Sequence, residues 1–212
     1  MRRLACSQLP RVPACHAGHR VVARQRRQLR TAARQAGPWT DGLAVGAAVQ
    51  ARCGDIVAAL AANGYYTTTN FLSADACAAM RAEAQHLYAE GEFMQSVSTD
   101  ADGQTFPKEG VHAVELDGDE WGDAAWLLEY TAQVMSTVPA ALNARWPELC
   151  MSEAAYGTKL AVATAGCGSK YPKHVDNSGP PDQRKLTMIY YLNPQWAPAM
   201  GGHLRLHLGG TE

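Results

Sequence analysis

Lys170-Tyr171-Pro172-Lys173-His174-Val175-Asp176-Asn177 is followed shortly by Leu186-Thr187-Met188-Ile189-Tyr190-Tyr191-Leu192-Asn193, and these two runs decide how the chain is read. The first reads as extended. Successive side chains of an extended chain point to opposite faces, so His174 and Asp176 share one face. One imidazole and one carboxylate converging in this way make two-thirds of the 2-His-1-carboxylate arrangement that holds a non-haem Fe(II). Standing alone, His-x-Asp is a weak signal, and its neighbourhood has to raise it.

Working outward, Lys159 to Ala165, Tyr171 to Asp176, Leu186 to Leu192 and His203 to Leu208 form four short strand-like runs. Gly- and Pro-bearing turns at 166–168, 178–181 and 198–202 separate them. The earlier half is helical in pattern. Val49 to Ala62 carries Ile56, Val57 and Leu60 on one face, with Gly64 as a stop. Tyr65 to Thr69 is aromatic and β-branched and reads as a strand. Ser73 is placed to cap a helix running through Tyr88, with Asp75 in its first turn and Gly91 ending it. Cys77, Met80, Ala84, Leu87 and Tyr88 form its core stripe. Ser96 to Gly110 reads as loop and Val111 to Leu116 as a strand. A further helix is expected from about Asp123 to Thr137, on Trp126, Leu127, Tyr130, Val134 and Met135, with Pro139 limiting it. Helices first and closely spaced strands later give an α+β fold with an antiparallel sandwich or barrel.

Charge is unevenly distributed. Residues 1–40 carry nine arginines, no lysine and no acid, which leaves ten basic residues against all twenty acids in the remainder. The acidic body argues against nucleic acid as a partner. The Arg-rich leader, residues 1–45, has three open readings: an organellar transit peptide, a disordered basic tail, or a gene model begun too far upstream. No apolar run approaches the ~20 residues that span a bilayer, so no membrane partner is expected. Hydrophobic content of 47% and charged content of 18% are those of a globular chain. Six scattered cysteines form no C-x-x-C pair, so neither a disulfide framework nor a zinc finger follows. Cys6, Cys15, His16 and His19 match no common metal spacing.

The run from Tyr171 to Asn177, the Ile189-Tyr190-Tyr191-Leu192-Asn193 strand and Gly201-Gly202-His203-Leu204-Arg205-Leu206 occur in order. Together they resemble the double-stranded β-helix core of the 2-oxoglutarate/Fe(II)-dependent oxygenases. Within that superfamily the chain is most similar to prolyl 4-hydroxylases of the hypoxia-inducible-factor, oxygen-sensing type. Gly64-Tyr65-Tyr66-Thr67-Thr68-Thr69-Asn70-Phe71-Leu72 adds to the likeness, which covers roughly Ile56 to Gly210. The resemblance implies helices packed on a jelly-roll core over residues 46–212, with Fe(II), 2-oxoglutarate, O2 and ascorbate as cofactors. His174 and Asp176 then ligate iron, and Tyr191, with Thr187 and Ile189 on its face, binds the cosubstrate. Tyr171 and Arg184 lie on the substrate side, and the substrate is a proline-containing peptide or protein. By family, the compartment is cytoplasmic or nuclear, or organellar if the leader is a transit peptide.

Departures from the resemblance matter too. Thr164 replaces a tyrosine near the cosubstrate, and Val111 to Leu116 lacks the relatives' tryptophan. The family's distal iron-binding histidine and its 2-oxoglutarate-pairing arginine fall after the Gly-Gly-x-Leu-Arg strand. The chain is therefore expected to be incomplete at its C-terminus, and the alternative reading is a catalytically inactive, partner-binding member. His203, His207, His112 and His86 are expected to belong to packing rather than ligation.

Overall fold

The computed structural model describes residues 44–99, 104–116, 122–152, 157–164, 166, 168–177 and 184–208. Residues 1–43, with the Cys and His residues of the expected leader, and the expected turn at 178–183 lie outside the described residues, whereas Ala44 and Val45 already belong to the first helix and its cap. Three helices, α1 (Val45–Asn63), α2 (Ala74–Ala89) and α3 (Ala125–Arg145), pack beside a three-stranded antiparallel sheet. Its strands are β1 (Met94–Thr99), β2 (Thr105–Glu115) and β3 (Lys159–Ala163), in the order β1-β2-β3.

Local chemistry explains the helix ends. Ser73 takes extended backbone angles and its hydroxyl accepts from the Ala76 N–H, while Gly64 closes α1 in the left-handed region at φ 76°. Val45 and Val49 of α1, Met80 and Leu87 of α2, and Leu127, Leu128, Val134 and Leu142 of α3 make one buried cluster. Val114 and Leu160 meet this cluster from β2 and β3. They are also cross-strand partners, so the even-numbered positions there face the helices. Val111, of opposite parity, is buried outside the cluster, on the other side of the sheet. By length and composition α1 could cross a membrane. Its Val45 and Val49 are nevertheless in the core, and Ile56, Val57 and Leu60 pack against it.

An α+β arrangement was expected and is found, with a small antiparallel sheet that is compatible with a jelly roll. Several boundaries differ. Ser96 to Gly110 is no simple loop: β1 and the first half of β2 occupy most of it, with a register shift between Gln95 and Val97. Polar residues pair here because a hairpin with exposed faces needs no apolar alternation. Tyr65 to Thr69 joins no ladder, and Asn70 beyond it turns left-handed at φ 53°. Pro139 does not end α3; it lies inside, buried with Val138 and Leu142. Burial of that last stretch outweighs the one backbone hydrogen bond that proline removes.

Of the four strand-like runs after residue 158, only Lys159–Ala163 is laddered. Tyr171–Asp176, Leu186–Leu192 and His203–Leu208 belong to no strand in the described structure. Alternation fixes which side chains face inward, but a strand also needs a neighbour to receive its hydrogen bonds. The 186–192 run keeps its alternation even so. Leu186, Tyr190 and Leu192 pack on the helical core, while Thr187, Ile189 and Tyr191 are exposed on the other side.

Candidate metal and cosubstrate site

His174 and Asp176 do converge. His174 Nε2 stands 3.2 Å from Asp176 Oδ1, with both side chains about half exposed. The other ring nitrogen, Nδ1, lies 2.7 Å from the Pro172 carbonyl oxygen. A carbonyl can only accept, so Nδ1 carries the proton, and in the neutral ring the Nε2 lone pair then faces the carboxylate. Two lone pairs at that distance repel unless a proton or a metal cation lies between them. Two cis ligands, each about 2.1 Å from one metal, stand about 3 Å apart. The Nδ1–H···O=C bond is also the support that fixes tautomer and ring orientation in metal-bound histidines.

Asp176 is steadied from the second run. Thr187 Oγ1 donates to Asp176 Oδ2 at 2.6 Å, which leaves Oδ1 on the histidine side. Arg184 donates from Nη2 to the Asp176 backbone oxygen, and Asn177 Nδ2 donates to the Arg184 oxygen at 2.6 Å. Asn177 and Arg184 are thereby tied, so the spacing of the two runs follows from side chains that flank the site. Arg184, expected on the substrate side, sits in this wall. Thr187→Val should keep the fold and weaken Mn(II) uptake about ten-fold, as loss of a supporting ligand contact does. Unchanged affinity in a metal titration would remove Thr187 from the site.

The exposed face bearing Thr187 also bears Ile189 and Tyr191, 52% and 53% exposed, so the three expected cosubstrate residues share one open face beside Asp176. Its reverse is anchored. The Tyr190 hydroxyl meets Cys77 Sγ at 2.6 Å and its ring stacks on Tyr130 at 5.2 Å. Burial and the neighbouring thiol push both tyrosine hydroxyls well above their ordinary pKa, so they stay protonated donors. Arg81 donates to the Leu192 oxygen at 3.0 Å. No sequence signal links Cys77 of one helix to Tyr190, 113 residues away.

Tyr171 lies on the other flank, its ring centroid 6.4 Å from that of His174. Lys108 Nζ sits 4.5 Å above the same tyrosine ring. Gly110 organises this corner. Its carbonyl accepts from Thr164 N at 2.8 Å, Thr164 Oγ1 at 3.0 Å and Ser169 Oγ at 3.3 Å, tying the turn after β3 to β2.

The other histidines stand in separate places, and the core packing expected of His203 and His207 is not found, since both are exposed. His203 meets the Trp196 ring edge-on at 5.0 Å, His112 packs against Tyr88, and His86 lies 3.9 Å from Asp123. Among the described residues no group of three His, Cys, Asp or Glu side chains gathers as a metal site. His174 and Asp176 are a pair.

No curated protein and no solved structure matches the chain. Residues 159–211 match the family model of the 2OG-Fe(II) oxygenase superfamily. That segment contains His174, Asp176, Thr187 and Tyr191, and the match supports a place for it within that superfamily, with Fe(II), 2-oxoglutarate and O2 as the implied cofactors.

Proposed function

We propose that the protein is a 2-oxoglutarate- and Fe(II)-dependent dioxygenase of the prolyl 4-hydroxylase kind, acting on a proline-containing peptide or protein. The observation that carries the reading is the His174 Nε2–Asp176 Oδ1 approach, with Nδ1 held by Pro172 and Oδ2 by Thr187. A neutral imidazole and an anionic oxygen on one face suit Fe(II) and leave its remaining positions for other ligands. Bound Fe(II) and 2-oxoglutarate supply the coupled oxidative decarboxylation and hydroxylation.

The chain's own residues do the positioning. His174 and Asp176 hold the metal, and Thr187 orients the carboxylate. Tyr191 offers a hydroxyl on the same open face to a carboxylate of the cosubstrate. Tyr190, pinned to Cys77 and Tyr130, keeps that face from rolling. Ascorbate and the oxygen-sensing role are part of the proposal on the strength of the resemblance.

A second reading, a partner-binding protein without turnover, is favoured by the finding that the described residues bring together only two ligating side chains. One experiment separates the two. The protein is supplied with Fe(II), 2-oxoglutarate and ascorbate in air, and succinate is measured with and without a proline peptide. Slow succinate release that His174→Ala abolishes supports the enzyme. Metal uptake with no succinate above the His174→Ala background selects the binding protein.

A further inference from the structure

Between the paired residues Gln95 and Val97, β1 has Ser96 alone, whereas β2 has the four residues 108–111 between the partners Pro107 and His112. Gly110 in this bulge is left-handed at φ 63°, where a side chain would be strained. Its carbonyl, accepting from Thr164 and Ser169, pins the bulge to the turn after β3. A bulge bends its strand and re-aims the side chains it carries. Lys108 leaves from this one. It is half-buried between the exposed Pro107 and Glu109, and its Nζ sits 4.5 Å from the centroid of the Tyr171 ring, where the negative face of the ring attracts a cation.

Behind that ring lies a short, stiff chain of groups. Tyr171 precedes a proline, which confines Tyr171 to extended angles and has its own φ locked. The Pro172 carbonyl accepts from His174 Nδ1 at 2.7 Å and so settles which ring nitrogen faces Asp176. The Tyr171 ring is also a neighbour of the His174 ring, with centroids 6.4 Å apart and planes 31° from parallel. The run 171–176 joins no strand in the described structure. Its placement against the sheet therefore depends on side chains, and Lys108 comes to it from the sheet.

We propose that Lys108 is a positioning residue of the metal site: seated on the Tyr171 ring, its ammonium sets, through the Tyr171-Pro172 step, the carbonyl that fixes the tautomer and direction of His174. This rests on the oxygenase reading and adds to that site a residue that touches neither metal nor carboxylate. Arginine stacks on aromatic faces as a cation too and should serve in place of Lys108, whereas glutamine, of similar length but neutral, should not.

The test uses the full chain with 15N-labelled histidine. Metal-free protein in mildly alkaline buffer is examined by long-range 1H–15N correlation, with the His174 signals assigned by their loss in His174→Ala. Mn(II) uptake is then read by electron paramagnetic resonance on the same samples. Wild type should show the Nδ1–H tautomer. Lys108→Gln should give mixed tautomers and bind Mn(II) about three- to ten-fold more weakly, the range of a part-exposed cation–ring contact. Lys108→Arg should restore both readings, and Lys108→Gln should change nothing further in a Tyr171→Leu background. Unchanged tautomer and affinity in Lys108→Gln overturn the proposal. So does an arginine variant as weak as the glutamine one, a loss that persists in full without the Tyr171 ring, or a loss that merely follows a fall in unfolding midpoint. Uptake that depends on His174 and not on Lys108 leaves the oxygenase reading standing and removes only this inference. No uptake at all removes the reading, and the inference with it.

Discussion

Asp176→Ala is expected to reduce Mn(II) or Fe(II) affinity about 100-fold or more, the largest change of any single substitution at the site. The supporting contacts of a metal ligand each contribute about 10–100-fold, and the ligand itself contributes at least as much. Three losses coincide at this position. The metal loses its one anionic oxygen, Thr187 loses its acceptor, and His174 Nε2 loses the group it faces at 3.2 Å. Asp176→Asn separates the first loss from the others, since an amide oxygen still accepts from Thr187 while the charge is gone. Affinity should then fall in the order wild type, Thr187→Val, Asp176→Asn, Asp176→Ala, with circular dichroism unchanged because the side chain is half exposed. Metal uptake that is indifferent to Asp176 would leave His-x-Asp a surface pair and nothing more.

The parts of this site visible in the sequence are those set by short spacing. His174 and Asp176 are two residues apart, and an extended backbone is enough to bring them together. Thr187, Ile189 and Tyr191 share a face for the same reason, although the segment gains no ladder. Ser73, Gly64 and the stripe through Met80 and Leu87 were legible because caps and helical periodicity act within a few residues. Contacts that join distant parts of the chain were not visible. Nothing local says that Lys108, in a run that reads as loop, stands on Tyr171, or that Tyr190 rests on Cys77 and Tyr130. Pro139 misled for a related reason. Proline propensity is local, whereas the burial of Val138 and Leu142 that holds α3 together is tertiary.

The ends of α1 and α3 show the same limit, and they lead to the largest expected effect on stability. Both helices begin after alanine, at Ala44 and Ala124, and neither alanine offers a side-chain cap. Their exposed N–H groups are met from elsewhere in the fold. Gln133 Oε1 accepts from Val45 N at 3.1 Å, and Glu83 accepts from Trp126 N and Leu127 N at 2.9 Å each. Glu83 thus caps α3 from α2 with both oxygens and sets a carboxylate against the positive end of the helix. Glu83→Ala leaves two part-buried donors without partners, each costing about 1–3 kcal/mol, so a loss of roughly 2–6 kcal/mol is expected in chemical denaturation. Because α3 carries Tyr130, the stack under Tyr190 should loosen as well, and metal uptake should weaken with it. The pH dependence gives an independent check. Burial raises the Glu83 pKa above the ordinary 4.5, and the two N–H groups only partly offset this. Folding therefore favours the protonated acid. The stabilisation linked to that proton is complete below the unfolded value and is lost as pH rises through the folded one. The stability gap between wild type and Glu83→Ala should accordingly be widest at acid pH and narrow toward neutrality. A gap that instead grows with pH would mean that the two backbone donors, rather than burial, set the charge state of Glu83.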